Sequence, residues 1–434
     1  MTSTALLTDH YELTMLQAAL RSGAAQRRSV FEVFARRLPA GRRYGVVAGT
    51  GRVLDALADF CFDAPTLDFL HAQRVVDDTT LEWLASYRFR GDIWGYPEGE
   101  TYFPGSPLVV VEASFAEAVV LETMVLSIMN HDCAVAAAAS RMIGVADGRP
   151  CIEMGARRTH EEAAIAAARA AYLVGFSATS SLEAGRRYGI PTSGTSAHSF
   201  TLLHDTERAA FTAQVESLGA GTTLLVDTYD IAEAVRMAVD IAGPELGAVR
   251  IDSGDLPLLA REVRSQLDAL GARETRVIVT SDLDEYAIAA LAAAPVDGYG
   301  VGTALVIGSG FPTCGFVYKL VARGASSPGS PLVPVAKRST EKLSIGGRKW
   351  ALRRRSATGT AQAEVLGISH RPRDDGDDRA LLVPLVREGE RVHDEPLDAM
   401  QDRHDQSVAE LPLAARQLSR GEPAIPTVYE EAAL

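Results

Sequence analysis

One imidazole, that of His198, stands among five hydroxyls and a glycine in the stretch Thr192-Ser193-Gly194-Thr195-Ser196-Ala197-His198-Ser199-Phe200. Small neighbours let backbone N–H groups come close to a ligand and leave room around the ring. A histidine needs both if it is to attack a ligand or move a proton. The stretch also suits a plainer role, with Thr195 or Ser196 capping a helix and His198 packed against it. Downstream, three apolar runs end in polar groups: Thr223 to Val226 at Asp227, Ala248 to Ile251 at Asp252-Ser253-Gly254-Asp255, and Arg276 to Thr280 at Ser281-Asp282. A helical pattern follows each, at 231–241, 258–270 and 285–293, and a fourth run ends in Gly300, Gly302 and Thr303. Strand, polar end and helix repeated every ~25–30 residues is the rhythm of a parallel sheet or barrel, whose catalytic groups sit at the C-terminal strand ends. Aspartate caps helices well too, but three acids at successive strand ends, with His198 upstream, favour chemistry over capping.

The strand-end groups then form a set: Arg157, His198, Asp227, Arg250, Asp252, Ser281, Asp282, Gly300, Gly302 and Thr303. Arginines and glycine-backed N–H groups bind phosphates. Carboxylates bind ribose hydroxyls or hold magnesium, which takes few protein ligands. A histidine oriented by a carboxylate is a base, or a nucleophile toward phosphorus. The chain has no Walker A motif and no G-x-G-x-x-G fingerprint, so a P-loop does not hold the phosphates. These residues predict a barrel enzyme acting on a phosphorylated sugar or nucleotide.

At 434 residues the chain predicts two or three domains, and 47% hydrophobic with 23% charged residues is ordinary for a globular protein. A net charge of −13 argues against nucleic acid or an anionic membrane as partner. No run of about 18 apolar residues and no secretory signal is visible, so a cytoplasmic protein is expected. Cys61, Cys133, Cys151 and Cys314 lie far apart and read as free thiols of a reducing compartment. Thr8 or Asp9 is placed to cap a helix bearing Leu13, Leu16, Ala19 and Leu20 on one face, with Tyr11 in its first turn. A strand at 30–35 runs into Arg36, Arg37, Arg42 and Arg43 around a Pro/Gly turn, a solvated loop or a phosphate site. Helices over 50–90, short strands over 91–111 and a packed Ala-rich helix or helix pair over 116–146 follow. The expected domains are 1–112 (α/β), 113–330 (the barrel) and 331–434, a C-terminal segment packing on the first. In the last, Lys337, Arg338, Lys342, Arg348 and Lys349 read as a solvated basic face, 367–380 as a charged loop, and the tail from 404 as a helix with a frayed end.

Five motifs stand in order: Thr8-Asp9-His10-Tyr11-Glu12-Leu13-Thr14-Met15, Glu153-Met154-Gly155-Ala156-Arg157-Arg158, Gly194-Thr195-Ser196-Ala197-His198-Ser199, Val226-Asp227-Thr228-Tyr229-Asp230 and Arg250-Ile251-Asp252-Ser253-Gly254-Asp255-Leu256. In order and spacing this combination resembles the nicotinate phosphoribosyltransferases, from about residue 6 to residue 350. The resemblance implies an irregular, TIM-like α/β barrel with a second mixed α/β domain built from the N- and C-terminal segments. It implies nicotinate, phosphoribosyl pyrophosphate and ATP as substrates, magnesium with the diphosphates, and nicotinate mononucleotide as product. His198 would be transiently phosphorylated, and Asp227 would hydrogen-bond its other ring nitrogen. Arg157 would meet the pyridine carboxylate, with Tyr11 stacking on the ring from the partner subunit of a homodimer. Arg250 and Asp252 would hold ribose and phosphates, and Gly300 and Gly302 the 5′-phosphate. Thr195, Ser196, Ser253, Ser281, Asp282 and Thr303 complete the substrate-binding candidates, and Arg36, Arg37, Lys319 and Lys337 are further pyrophosphate candidates.

Two departures stand out. Many relatives have Phe where Met154 stands, so a thioether replaces a stacking ring. Some carry a cysteine zinc knuckle near the C-terminus. Here no cysteine follows Cys314, so no structural zinc is expected. The rivals are a nicotinamide or quinolinate phosphoribosyltransferase, a sugar-phosphate aldolase or isomerase, and a nucleotide-binding regulator. A Schiff-base aldolase needs a strand-end lysine, and these strand ends offer none.

Overall fold

The computed structural model describes residues 3–325, 330–337 and 345–430. The chain forms two compact units: 1–137 with 313–434, and 138–312.

In the second unit every named strand runs parallel. Six of them, Cys151–Glu153, Ala178–Thr179, Thr223–Leu225, Ala248–Ile251, Arg276–Val279 and Gly298–Val301, form one sheet. Its spatial order runs 178–179, 151–153, 298–301, 276–279, 248–251, 223–225. Helices Glu161–Tyr172, Ile231–Ala242, Leu256–Ala269 and Glu285–Ala290 connect successive strands. This is a TIM-like half-barrel. Its strands are apolar because both faces are covered, Val249, Ile251, Val277 and Val279 being fully buried. Three helix starts decide what the strand-end acids do. The capping carboxylates are Asp230 (accepting from Glu233 N, 2.8 Å), Asp255 (from Leu258 N, 3.2 Å) and Asp284 (from Ala287 N, 2.8 Å). Asp227, Asp252 and Asp282 lie two or three residues earlier and cap nothing, which leaves their carboxylates to the strand ends.

In the first unit Asp9 caps the helix His10–Ser22, and Gly23, at φ 73°, ends it. Leu13, Leu16 and Ala19 are buried as expected. Glu12 is buried with them, accepting from Thr8 Oγ1 (2.5 Å) and Thr123 N (3.0 Å). A seven-stranded sheet holds Arg28–Ala35 between Phe316–Arg323 and Val109–Ser114, with Asp92–Gly95 and Val383–Arg387 beyond. Because 109–114 and 316–323 both pair with 28–35, the units change over at 137/138 and 312/313, whereas composition suggested 112 and 330.

The C-terminal segment is more ordered than its composition suggests. Lys349–Arg355, Ala361–Ile368, Arg379–Ala380 and Thr427–Glu430 form a four-stranded sheet, so the expected frayed end is a strand running parallel to 361–368. Two residues of the expected solvated basic face are instead buried. Lys349 Nζ meets Glu32 Oε2 at 2.7 Å, and Arg348 Nε meets Glu112 Oε1 at 3.0 Å while its guanidinium lies 3.2 Å from the Trp350 ring centroid. Arg338 and Lys342 of that face lie outside the described residues.

The expectation about membrane-spanning length needs a correction. The stretch 115–146, a short helix Phe115–Val119 followed by Glu122–Ala146, is long and apolar enough on average to cross a membrane. Most of it is buried inside the protein, which makes it a core helix. All four cysteines are free. Burial pushes the Cys151 thiol up to about 12 and that of Cys314 up to about 11, so both stay protonated at neutral pH.

Candidate active site

At the C-terminal ends of the parallel strands opens a cavity of about 570 Å³. Of the predicted residues it is lined by Arg157, Thr195, Ser196, His198, Arg250, Asp252, Ser281, Asp282, Gly300, Gly302 and Thr303. Asp227 and Ser253 sit immediately behind it. Ser253 Oγ donates to Asp227 Oδ2 at 2.7 Å, and Asp252 N donates to the same oxygen at 3.0 Å. The remaining predicted residues belong to the first unit. Tyr11 is exposed on its helix, and burial, then the neighbouring Glu122, raises its hydroxyl pKa well above the usual range. Lys319 Nζ lies 3.7 Å from Glu122 Oε1, while Arg36, Arg37 and Lys337 are exposed.

The loop that carries His198 uses its hydroxyls differently from the capping alternative. The helix His198–Leu203 starts after Ala197, with no side chain capping it. Thr195 Oγ1 instead accepts from Arg250 Nη1 at 2.7 Å, and Ser196 O accepts from the same nitrogen at 3.3 Å. Arg250 therefore ties the strand Ala248–Ile251 to the histidine loop. Among the described residues its buried Nε has no hydrogen-bond partner, and burial lowers its pKa. An arginine held in this way, with a donor to spare, suits an anion.

The imidazole geometry corrects one expectation. Asp227 was to hydrogen-bond the nitrogen opposite the reacting one. Its Oδ1 lies 3.8 Å from His198 Nε2, beyond hydrogen-bond reach, and Asp252 Oδ2 lies 3.9 Å from the same nitrogen. The cause is local: Asp227 Oδ2 is already engaged by the 252–253 backbone and hydroxyl, which fixes the carboxylate short of the ring. His198 Nδ1 is met by Thr228 Oγ1 at 3.1 Å. Two carboxylates facing Nε2 favour the proton on that nitrogen and leave the lone pair on Nδ1. Among the described residues, buried Asp227 Oδ1 has no hydrogen-bond partner.

Further lining comes from Met154, whose thioether was expected in place of a stacking ring, and from Arg158, Ser180 and Thr280, which sequence reasoning did not assign to the site. Thr280 donates a short hydrogen bond to Asp252 Oδ1 and so fixes the second carboxylate. Only the polarity of the last residue of an apolar run could have flagged it. Met154 and Thr280 together explain Gly300, since a Cβ there would collide with Thr280 Cγ2 and Met154 Sδ. Beneath Arg157, buried Glu153 accepts from Gly155 N and from Thr179 Oγ1, the latter at 2.5 Å, which pins the turn carrying the arginine. Burial raises the pKa of that carboxyl. Ser281, at φ 125°, holds a conformation that costs a non-glycine residue about 1–3 kcal/mol and that clusters at functional sites.

Comparisons with known proteins agree with this geometry. Residues 6–130 match the family model described as the nicotinate phosphoribosyltransferase N-terminal domain. The nicotinate phosphoribosyltransferase pncB1 of Mycobacterium tuberculosis is 58% identical over 431 residues, covering 97% of this chain and 94% of that protein. The Bacillus subtilis nicotinate phosphoribosyltransferase is 37% identical over 357 residues, 80% of this chain and 72% of its own length. The crystal structure of human nicotinic acid phosphoribosyltransferase superposes with a TM-score of 0.83 at 25% identity, covering 98% of each chain.

Proposed function

The chain belongs to the nicotinate phosphoribosyltransferase family, and on that premise we propose that it couples ATP hydrolysis to nicotinate mononucleotide synthesis through a phosphate carried on His198. It is an enzyme of pyridine nucleotide salvage that transfers a phosphoribosyl group to nicotinate. What supports the finer reading is a single cavity lined by His198, three arginines (157, 158 and 250) and the carboxylates of Asp252 and Asp282. All three substrates, nicotinate, phosphoribosyl pyrophosphate and ATP, are anions, and the arginines meet them. Arg157 is exposed and electrostatically coupled to Arg250, so the two guanidiniums share one anion-attracting region. In this reading Arg157 grips the pyridine carboxylate as a bidentate pair, while Arg250, Gly302 and Thr303 bind phosphate.

Transfer passes through a ribosyl cation-like transition state and releases pyrophosphate. Asp252 faces the ribose, and the arginines absorb the leaving-group charge. Magnesium takes few protein ligands and otherwise oxygens of its substrates, so a cavity carboxylate such as that of Asp282 would suit it together with the diphosphates. When bound with the diphosphates, magnesium would neutralise part of their charge. The ATP step uses His198 Nδ1 as nucleophile, with the Nε2 proton facing the two carboxylates that stabilise the charged ring. The working unit of the proposal is a cytoplasmic homodimer. Tyr11 is exposed beside Leu6, Leu7 and Met15, an apolar face that a second copy would cover, with Tyr11 reaching the partner's pyridine ring.

Arg157→Gln tests the substrate assignment. Loss of a charge-assisted pair removes about 1.5–3 kcal/mol, or roughly 10- to 150-fold in affinity. The KM for nicotinate is expected to rise by that factor while the KM for phosphoribosyl pyrophosphate moves little. Steady-state kinetics with each substrate varied would show it, and an unchanged nicotinate KM would remove Arg157 from this role.

A further inference from the structure

Among the described residues the His198 imidazole has one hydrogen-bond partner, Thr228 Oγ1, 3.1 Å from Nδ1. Thr228 is clamped from both sides. Asp227 before it is held by Asp252 N and Ser253 Oγ, and Asp230 after it caps the helix Ile231–Ala242. The backbone that carries the hydroxyl is therefore held on both sides of Thr228. We propose that Thr228 is the positioning residue that fixes the aim of the His198 ring. This rests on the phosphohistidine reading given above.

Asp227 and Asp252 face Nε2 from 3.8 and 3.9 Å and favour the proton there, and in the proposal the Thr228 hydroxyl donates to the Nδ1 lone pair and keeps the ring aimed before ATP arrives. In the transfer step the Nδ1 lone pair forms a bond to the γ-phosphorus of ATP. The bond from that phosphorus to the bridging oxygen breaks, and its electron pair leaves with ADP. The Nε2 proton stays in place, and the positive ring faces the two carboxylates. Released from Nδ1, the hydroxyl turns its hydrogen bond to an oxygen of the new phosphoryl group. Water later attacks that phosphorus and returns the histidine and inorganic phosphate.

The test compares the full-length parent with Thr228→Val, which removes the hydroxyl at constant shape, and Thr228→Ser, which keeps it. The readout is the rate of label transfer from γ-labelled ATP to the protein in a single turnover with magnesium, across a pH series. Thr228→Val is expected to slow labelling by about tenfold or more and to change its pH profile, since Nδ1 then loses the hydroxyl that meets it. Thr228→Ser is expected to restore rate and profile to within about threefold. Labelling of Thr228→Val at the parental rate overturns the proposal. So does a serine variant as slow as the valine one, which would leave only a packing role for the methyl group. If Thr228→Val does not fold, the serine variant is read against Thr228→Ala in the same way. A parent that takes no label refutes the phosphohistidine reading itself, a distinct pattern because parent and variants are then alike.

Discussion

Replacing His198 by alanine is expected to end covalent labelling by ATP and to remove the ATP-dependent part of nicotinate mononucleotide synthesis, a loss on the order of 10²-fold or more in kcat/KM at saturating ATP. The size of the effect follows from what surrounds the ring. Among the described residues no other imidazole lines the cavity, and no lysine or cysteine does either. Of the serine and threonine hydroxyls that do line it, Thr280 is already bound to the Asp252 carboxylate, and a neutral hydroxyl is a weaker nucleophile toward phosphorus than an imidazole. ATP hydrolysis in step with product formation should stop together with the label. Coupled turnover persisting in the alanine variant would show that another group carries the phosphate.

Arg353→Met is expected to be the most damaging single change to stability. Arg353 is fully buried on the strand Lys349–Arg355, directly opposite Glu364 on the neighbouring strand. Its Nη2 lies 3.2 Å from Glu364 Oε2 and 3.5 Å from Glu100 Oε1, and Nη1 donates to Thr101 Oγ1 at 3.0 Å. Both carboxylates are themselves fully buried. Glu100 keeps Arg379 at 2.5 Å, which with Arg353 holds its pKa low despite burial. Among the described residues, Glu364 would keep the hydroxyls of Tyr96 and Ser106 as its side-chain partners. Removing one member of a buried ion network strands the others without water and typically costs about 3–5 kcal/mol. For a unit of this size that is a fall of roughly 6–15 °C in the unfolding temperature. Arg353→Met combined with Glu364→Gln should regain part of the loss, because the stranded charge goes too. Calorimetry on the two variants would show it, and a single variant melting with the parent would mean that the network adds nothing.

The strand-end acids show both what could be read from sequence and where reading stopped. Apolar runs ending at Asp227, Asp252 and Asp282 are local patterns, and the parallel sheet follows from them. Each helix is capped by a different carboxylate, Asp230, Asp255 or Asp284, so the earlier acids are free for the site. Which nitrogen of His198 they face was not legible. It depends on Asp227 being drawn toward the 252–253 turn, a contact between loops 25 residues apart in the chain. Thr228 was hidden for the same reason: a threonine beside an aspartate carries no signal until a ring stands against it. The C-terminal sheet was missed for a different reason. Its buried faces carry charge, Arg353 and Glu364 on facing strands and Lys349 on Glu32, so the alternation that marks a strand reads as a solvated surface. Only the pairing of distant charges reveals it as a core.

The central claim, a nicotinate enzyme driven by ATP, is tested most directly by one assay. The purified protein is incubated with phosphoribosyl pyrophosphate and magnesium, with and without ATP, and with nicotinate or nicotinamide in parallel, and mononucleotide and ADP are followed by mass. The account predicts nicotinate mononucleotide, formed faster with ATP and accompanied by ADP, and little product from nicotinamide. Product from nicotinamide in preference to nicotinate, or nicotinate turnover indifferent to ATP with no ADP formed, would contradict it.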